Sequence, residues 1–343
     1  MKLTHWTATL RLHEPFSISR STDEEVEEVF VEIEHDGLSG YGEGSPQDRY
    51  GESAASASAV FDGAEERLGD DPFALEAIGR RLAEVPGEMA AKAALDSALY
   101  DLCGKIAGQP VWRLLGLERA GPPTSWTIWL GDPDDMARRT ERVGNRFHRL
   151  KLKLGAGDGL DVERVRAVRG VTELPLQVDV NEGWEVDEAL ENVQALAGLG
   201  VQYIEQPLPA GHPGGSRLKS KSPLPIYVDE DVHTSEDLRE AAERAHGVNI
   251  KLAKSGGIRE AVRMAHSARA LGLEVMLGCM IESSLAIAAG AQVASLCDHV
   301  DLDGNLLLAD DPWDGVEFLE GVQLPSLAPG LGVHARQEVP DPR

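Results

Sequence analysis

The sequence predicts an α/β protein, in which a barrel of alternating strands and helices follows a smaller unit of strands and helices. Three observations carry that prediction. The first ~50 residues alternate apolar and polar as half-buried strands do, and from Ser53 to about Ala107 the periodicity becomes helical. From Ser125 onward, short apolar strands and amphipathic helices alternate strictly at ~25 residues per unit, which implies parallel strands joined by helical crossovers. Eight such strands can be read, and eight units close a barrel.

In the N-terminal unit, Trp6–Leu12 and Val29–Glu34 read as strands, and Asp36-Gly37 reads as the turn into a third at Leu38–Gly42. Ala90–Ile106 places Ala, Leu and Tyr three and four residues apart, as a helix does. Gly121-Pro122-Pro123 breaks the pattern and marks a boundary. The expected division is therefore 1–120, a small sheet with helices; 121–310, the barrel; and 311–343, a segment of little periodicity that returns to the first unit. The barrel strands are expected at Ser125–Leu130, Arg149–Leu154, Leu176–Asn181, Tyr203–Glu205, Ile226–Asp229, Gly247–Leu252, Glu274–Gly278 and His299–Asp303.

Composition removes several function classes. A chain of 343 residues, 42% hydrophobic, can build one large core and a smaller one. No apolar run approaches the ~18 residues that a membrane span needs. Met1–Leu10 has no apolar stretch with a cleavage site, so no signal peptide is expected. Cys103, Cys279 and Cys297 are odd in number and widely spaced, which disfavours a disulfide framework or a thiolate zinc site. Free thiols point to the cytoplasm. The net charge of −25 repels nucleic acid and anionic membranes. Only 9 basic residues are Lys against 24 Arg, and the acidic, lysine-poor surface suggests adaptation to salt; a melting temperature that does not rise with added salt would count against it. Four of the nine lysines sit in two short motifs, Lys151 and Lys153, then Lys251 and Lys254.

Chemistry in such barrels gathers at the C-terminal strand ends. There the sequence offers Lys151-Leu152-Lys153, Asp179-Val180-Asn181, Glu205-Gln206-Pro207, Asp229-Glu230, Lys251 and Asp301-Leu302-Asp303, with Thr127 on the first strand. Lys153, Asp179, Glu205, Asp229 and Lys251 follow one another at 26, 26, 24 and 22 residues, one strand–helix unit each. Asp179, Glu205 and Asp229 would be three adjacent carboxylates, which repel one another unless a cation neutralises them. Oxygen ligands on rigid strands suit Mg²⁺, whereas zinc would favour His or Cys. Lys153 and Lys251 would flank the metal, and a nearby cation, including the Lys151 ammonium, lowers a lysine pKa and fits it for general acid–base work. With Mg²⁺ stabilising the charge that develops, an α-proton beside a carboxylate becomes removable, and a base on each side allows inversion. Asp301 and Asp303, on one strand face, suit a substrate ammonium.

Singly, each of these residues has a bland reading. An acidic residue in so acidic a chain is usually solvated, Lys-Leu-Lys is an ordinary exposed strand, and Asp301-Leu302-Asp303 alone is a surface strand end. Asp231 and His233 read as loop residues, Cys279 as core packing, and Arg20 as surface unless its loop covers the barrel. The register over successive strands makes the functional case.

The set formed by Lys151-Leu152-Lys153, Asp179-Val180-Asn181, Glu205-Gln206-Pro207, Asp229-Glu230 and Asn249-Ile250-Lys251-Leu252-Ala253-Lys254-Ser255-Gly256-Gly257 resembles the enolase superfamily, in its muconate-cycloisomerase-like subgroup, over nearly the whole chain. The resemblance implies a modified TIM barrel, (β/α)7β, under an N-terminal α+β capping domain. It implies metal ligands at Asp179, Glu205 and Asp229 and acid–base lysines at Lys153 and Lys251. Asp301-Leu302-Asp303, Gly278-Cys279-Met280 and Arg49-Tyr50-Gly51-Glu52 look most like the dipeptide epimerases, which invert the C-terminal residue of a dipeptide whose ammonium the two aspartates hold. Phe16-Ser17-Ile18-Ser19-Arg20 is similar to a capping loop whose arginine pairs with a glutamate side chain, so an Ala-Glu dipeptide is expected; Lys151 and Thr127 are further substrate-binding candidates. The resemblance also implies a symmetric homo-oligomer. Asp231 stands where a small hydroxyl residue usually follows the Asp-Glu pair and would add negative charge near the metal and alter the hydrogen bonding behind its ligands. Ile281-Glu282-Ser283 varies among members. An N-acylamino-acid racemase, o-succinylbenzoate synthase or muconate cycloisomerase would share the machinery but leave the Asp301/Asp303 pair unexplained. A barrel that only binds a small anion would need no lysine on both faces.

Overall fold

In the computed structural model, which describes residues 1–144 and 146–336, the chain opens with an antiparallel sheet of β1 (Lys2–Ser17), β2 (Thr22–His35) and β3 (Leu38–Gly44) in that order. Asp36 and Gly37 both have positive φ, as the tight β2–β3 turn requires. Helices α1 (Ala54–Phe61), α2 (Ala64–Leu68), α3 (Leu75–Ala83) and α4 (Met89–Ala107) follow, then the single turn α5 (Val111–Leu114). Val29, Val31 and Ile33 on one face of β2 form a core with these helices, while Phe30 on the other face joins the core of the barrel. Alternation along one strand thus glues two layers to it. A Cβ on Gly40, Gly42 or Gly44 would meet the backbone of Ala98, Ala94 or Ala90, so glycine at every second residue of β3 lets α4 lie directly on the sheet.

The rest is a barrel of eight parallel strands in sequential order: β4 (Trp126–Ile128), β5 (Leu150–Lys153), β6 (Leu176–Asp179), β7 (Val201–Glu205), β8 (Ile226–Val228), β9 (Gly247–Lys251), β10 (Glu274–Gly278) and β11 (His299–Asp301). A parallel bridge from Thr124 to Val300 joins the first strand to the last. The crossovers are α6 (Pro133–Val143), α7 (Asp161–Arg169), α8 (Val186–Ala197), α9 (Gly215–Lys221), α10 (Leu238–Arg244), the pair α11 (Leu252–Ser255) and α12 (Ile258–Ala270), and α13 (Ser284–Ala291). After β11 a 3-10 turn, Gly304–Leu307, replaces an eighth helix. All eight expected strands are present. The predicted ends overran in places: β11 stops at Asp301, and Asp303 leads into the 3-10 turn instead of sharing a strand face with Asp301.

Strand alternation explains the two cores. Leu150, Leu152, Leu176 and Val178 face the helices, where they meet Val165 and Val168 of α7. The residues between them, Lys151, Lys153, Gln177 and Asp179, are buried without joining that core. Tyr203, Tyr227 and Met276 form a small interior cluster of their own.

The cap is fastened to the barrel at several points. Asp96 of α4 accepts the Arg259 amide at the start of α12 (3.0 Å). Arg49 donates both arms of its guanidinium to Glu182 (2.9 and 2.8 Å). Tyr50 meets His233 edge to face. Trp313 of the C-terminal segment stacks near Phe30 and Tyr41.

Candidate active site

Parallel register brings the strand ends to one level. Lys153 lies beside Asp179, and Asp179 beside Glu205. On the opposite wall Lys251 lies beside Gly278, and Gly278 beside Asp301. Asp229 follows the last residue of β8, so all three carboxylates and both lysines emerge at the same mouth.

Asp179, Glu205 and Asp229 are essentially without solvent exposure (0%, 0% and 1%). Ammonium groups compensate them. Lys151 Nζ stands 3.1 Å from Asp179, 2.9 Å from Glu205 and 2.8 Å from Asp301. Lys153 Nζ is 2.6 Å from Asp179. Lys251 and Lys254 hold the two oxygens of Asp229 at 2.8 and 2.6 Å. Burial by itself raises a carboxylate pKa and lowers an ammonium pKa; opposite charges reverse both. Thus Asp179 lies below its ordinary range because Lys153 and Lys151 outweigh desolvation, and Asp229 does so because of Lys251 and Lys254. Glu205 is raised, by burial first and by Asp179 next. Burial pulls Lys251 down, but Asp229 overrides it and leaves the ammonium above its usual value; Lys151 pulls in the lowering direction that the sequence suggested. Lys151 is raised well above the usual range, since Asp301, Glu205 and Asp179 together outweigh its burial.

The donor set fits a hard divalent cation. Three carboxylates occupy adjacent strand ends, and Glu205 Oε2 is buried with no aligned hydrogen-bond donor although Lys151 is close. Among the described residues, no three His, Cys, Asp or Glu side chains converge as a ligand sphere; Lys151 Nζ stands between Asp179 and Glu205 instead.

A cavity of roughly 710 Å³ opens at this mouth, lined by Thr127, Lys151, Lys153, Lys251, Asp301, Asp303 and Arg20, with the three carboxylates set back from it. Asp303 accepts from the Thr127 amide (2.7 Å); burial and then Asp301 push its carboxyl to about 7. The loop that carries Arg20 does cover the barrel: Arg20 pairs with Glu230 at 3.0 Å and donates to the Asn181 carbonyl at 3.2 Å. Cys279 is not simply core packing, since it also lines the cavity; burial and then Asp303 hold its thiol well above the range where a thiolate forms.

The structure adds residues that sequence reasoning passed over. Gln206, with φ 37°, accepts the amides of Asp229 and Glu230 (2.7 and 3.0 Å) and so aims that pair. Asn249 donates to Glu205 (2.7 Å). Lys254, which the sequence marks only as the second lysine of a pair, holds Asp229. Its place on the first turn after β9 was the available signal, because that turn folds back over the neighbouring strand end. Asp231 meets one half of its expectation and corrects the other: it does enter the hydrogen bonding behind the ligand candidates, through Gln206. Its carboxylate does not add charge beside the three ligand candidates, because Arg244 (2.7 Å), Gln206 (2.6 Å) and the Gly211 amide (3.0 Å) take it up.

Two family models match the chain: the mandelate racemase/muconate lactonizing enzyme N-terminal domain over residues 2–116, and the enolase C-terminal domain-like family over residues 135–339. A hydrophobic dipeptide epimerase of Flavobacteria bacterium (strain MS024-2A) is 40% identical, covering 98% of this chain and 99% of its own. An L-Ala-D/L-Glu epimerase of Bacteroides thetaiotaomicron is 38% identical, covering 97% and 88%. The crystal structure of a dipeptide epimerase from Enterococcus faecalis V583, complexed with Mg and L-Leu-L-Tyr, superposes with a TM-score of 0.93 at 32% identity, covering 96% of this chain and 98% of that one. On these matches the chain belongs to the mandelate racemase/muconate lactonizing enzyme group of the enolase superfamily.

Proposed function

We infer that this protein epimerises dipeptides at the α-carbon of the C-terminal residue, with Mg²⁺ as its cofactor. The observation that carries this is the placement of Lys153 and Lys251 on opposite walls of one cavity, with Asp179, Glu205 and Asp229 set between them. The Mg²⁺-bound and dipeptide-bound relative supports both the cofactor and the substrate class.

In this reading Asp179, Glu205 and Asp229 hold the cation. When bound, it would withdraw charge from the substrate carboxylate and acidify the adjacent C–H. Lys153 and Lys251 do the proton work: one takes the α-proton while the other returns a proton to the opposite face, which inverts the centre. Each must be neutral to accept and charged to donate. Lys151 balances Asp179, Glu205 and Asp301, and Asp301 with Asp303 receives the dipeptide ammonium. Thr127 fixes Asp303, and Arg20 screens the cavity from the cap side. The expected division into a cap, 1–120, a barrel, 121–310, and a returning segment, 311–343, fits the reading; the packing of Trp313 on Phe30 and Tyr41 supports it, and residues 337–343 lie outside the described residues. The free thiols of Cys103, Cys279 and Cys297 support a cytoplasmic setting.

Incubation with Mg²⁺ in D₂O tests the function on L,L-dipeptides of varied C-terminal residue. A gain of one mass unit with appearance of the epimer is expected, and it should vanish with a chelator. The double variant Asp301→Asn, Asp303→Asn should lose dipeptides. If it keeps them, Asp301 and Asp303 do not hold the substrate ammonium; if the unmodified protein exchanges only N-acylated amino acids, the substrate is an N-acylamino acid and not a dipeptide.

A further inference from the structure

The cap side of the substrate cavity contains a carboxylate that the proposed chemistry does not use. Glu28 of β2 lines the cavity, is 1% exposed, and has one oxygen, Oε2, with no hydrogen-bond partner. Its other oxygen accepts from Ser45 Oγ (2.7 Å). Two more buried carboxylates stand nearby, and both are engaged. Glu43 accepts the Ser283 and Ala286 amides (2.8 and 2.9 Å) and so caps α13, and Glu282 accepts the Met280 amide (3.2 Å). Glu28 is left over. No basic side chain among the described residues figures in what sets its charge: burial raises its pKa well above the ordinary range, Glu43 and Glu282 raise it further, and only Ser45 opposes them. A polar atom buried without a partner is costly and calls for a reason, and at a cavity wall a ligand group is one that would satisfy it.

Asp23, Glu25 and Glu27 also border the cavity, but they alternate with Glu28 along β2 and stand on its Val29 face, so Glu28 is the carboxyl group that β2 turns to the barrel side. The two arginines on the cap side do not offset it. Arg20 is held by Glu230, and Arg49 by Glu182. A substrate side chain that reaches Glu28 therefore meets a buried carboxyl group with no basic partner; a cation arriving there favours its ionised form, the proton leaving to solvent, while Arg20, the residue expected to receive a glutamate, is already paired.

We propose that the dipeptide this enzyme epimerises carries a cationic side chain, a lysyl ammonium or arginyl guanidinium, received by Glu28 Oε2 on the barrel side of β2. The proposal rests on the dipeptide-epimerase reading above and names its substrate class. A charge-assisted contact with a buried carboxylate is among the stronger hydrogen bonds, so discrimination should be large.

The test measures kcat/KM for α-deuterium exchange by the Mg²⁺-loaded enzyme on L-Ala-L-Lys, L-Lys-L-Ala, L-Ala-L-Arg, L-Ala-L-Leu and L-Ala-L-Glu. The best cationic dipeptide should exceed both L-Ala-L-Leu and L-Ala-L-Glu by about tenfold or more. Glu28→Gln should cut the cationic-to-leucyl ratio by a similar factor, mainly through KM. Should that variant not fold, Glu28→Asp, which keeps the carboxyl group but withdraws it by one methylene, must lower the same ratio. A preference for L-Ala-L-Glu or L-Ala-L-Leu, or a ratio that these variants leave unmoved, overturns the proposal while leaving the epimerase reading standing. Exchange on none of the dipeptides overturns both.

Discussion

Lys153 and Lys251 reach their carboxylates from opposite walls, at 2.6 and 2.8 Å, and that geometry gives them separable tasks. Removing one base should stop inversion without stopping proton removal by the other. Lys153→Ala and Lys251→Ala are each expected to lower epimer interconversion by about 10²-fold or more. Each should still exchange the α-proton of one epimer in D₂O, and the two variants should favour different epimers. If either variant interconverts both epimers at the wild-type rate, the two-base assignment fails. At this scale the sequence was informative wherever a residue's role follows from its strand position. Lys151, Lys153, Asp179, Glu205, Asp229 and Lys251 were all placed by counting one strand–helix unit at a time. Lys254, Gln206 and Asn249 escaped because their roles depend on where a side chain bends, which spacing does not encode. The Asp231 charge was misjudged for the same reason: Arg244, 13 residues away in sequence, turns back onto it.

Among the elements, β3 and α4 decide how the cap is built. Gly40, Gly42 and Gly44 face Ala98, Ala94 and Ala90, so helix and strand touch backbone to backbone. Gly42→Ala inserts a methyl where no space exists and should cost about 1–3 kcal/mol or more, as overpacking does. Thermal unfolding measures this directly, and an unchanged melting temperature would mean that α4 can retreat from the sheet. The sequence marked Ala90–Ile106 as a helix but gave it no partner; small residues permit a close approach without saying to what. The eight barrel strands were legible because each is short, apolar and followed by a helix of different period. Their ends were less so, since Asp303 continues the alternating pattern for two residues after pairing stops at Asp301.

Across the whole molecule, cap and barrel meet over a seam of buried acids, and this makes stability depend on pH. Burial, with Glu282 adding to it, raises Glu43 from 4.5 to about 8, and burial raises Glu282 from 4.5 to about 7. Between those values the folded chain binds more protons at these two groups than the unfolded one, so stability falls as pH rises and their share of the loss is complete above about pH 8, with Glu28, also raised, acting in the same direction. The melting temperature should therefore decline from pH 5 to pH 8, and Glu282→Gln should flatten the decline. A wild-type melting temperature that holds level over that interval would show the seam to be hydrated or paired. The same seam sets the limit of sequence reading. Periodicity, spacing and residue type determined the barrel, the order of its strands and the identity of the ring of lysines and carboxylates, because these follow from local geometry repeated along the chain. Tertiary structure alone decided that Glu28, Glu43 and Glu282 share one buried seam, that Arg20 is already paired, and that β2 turns Glu28 toward the cavity. Those facts depend on contacts between residues as far as 243 positions apart, such as Glu43 with Ala286, and no local pattern records which distant groups will meet.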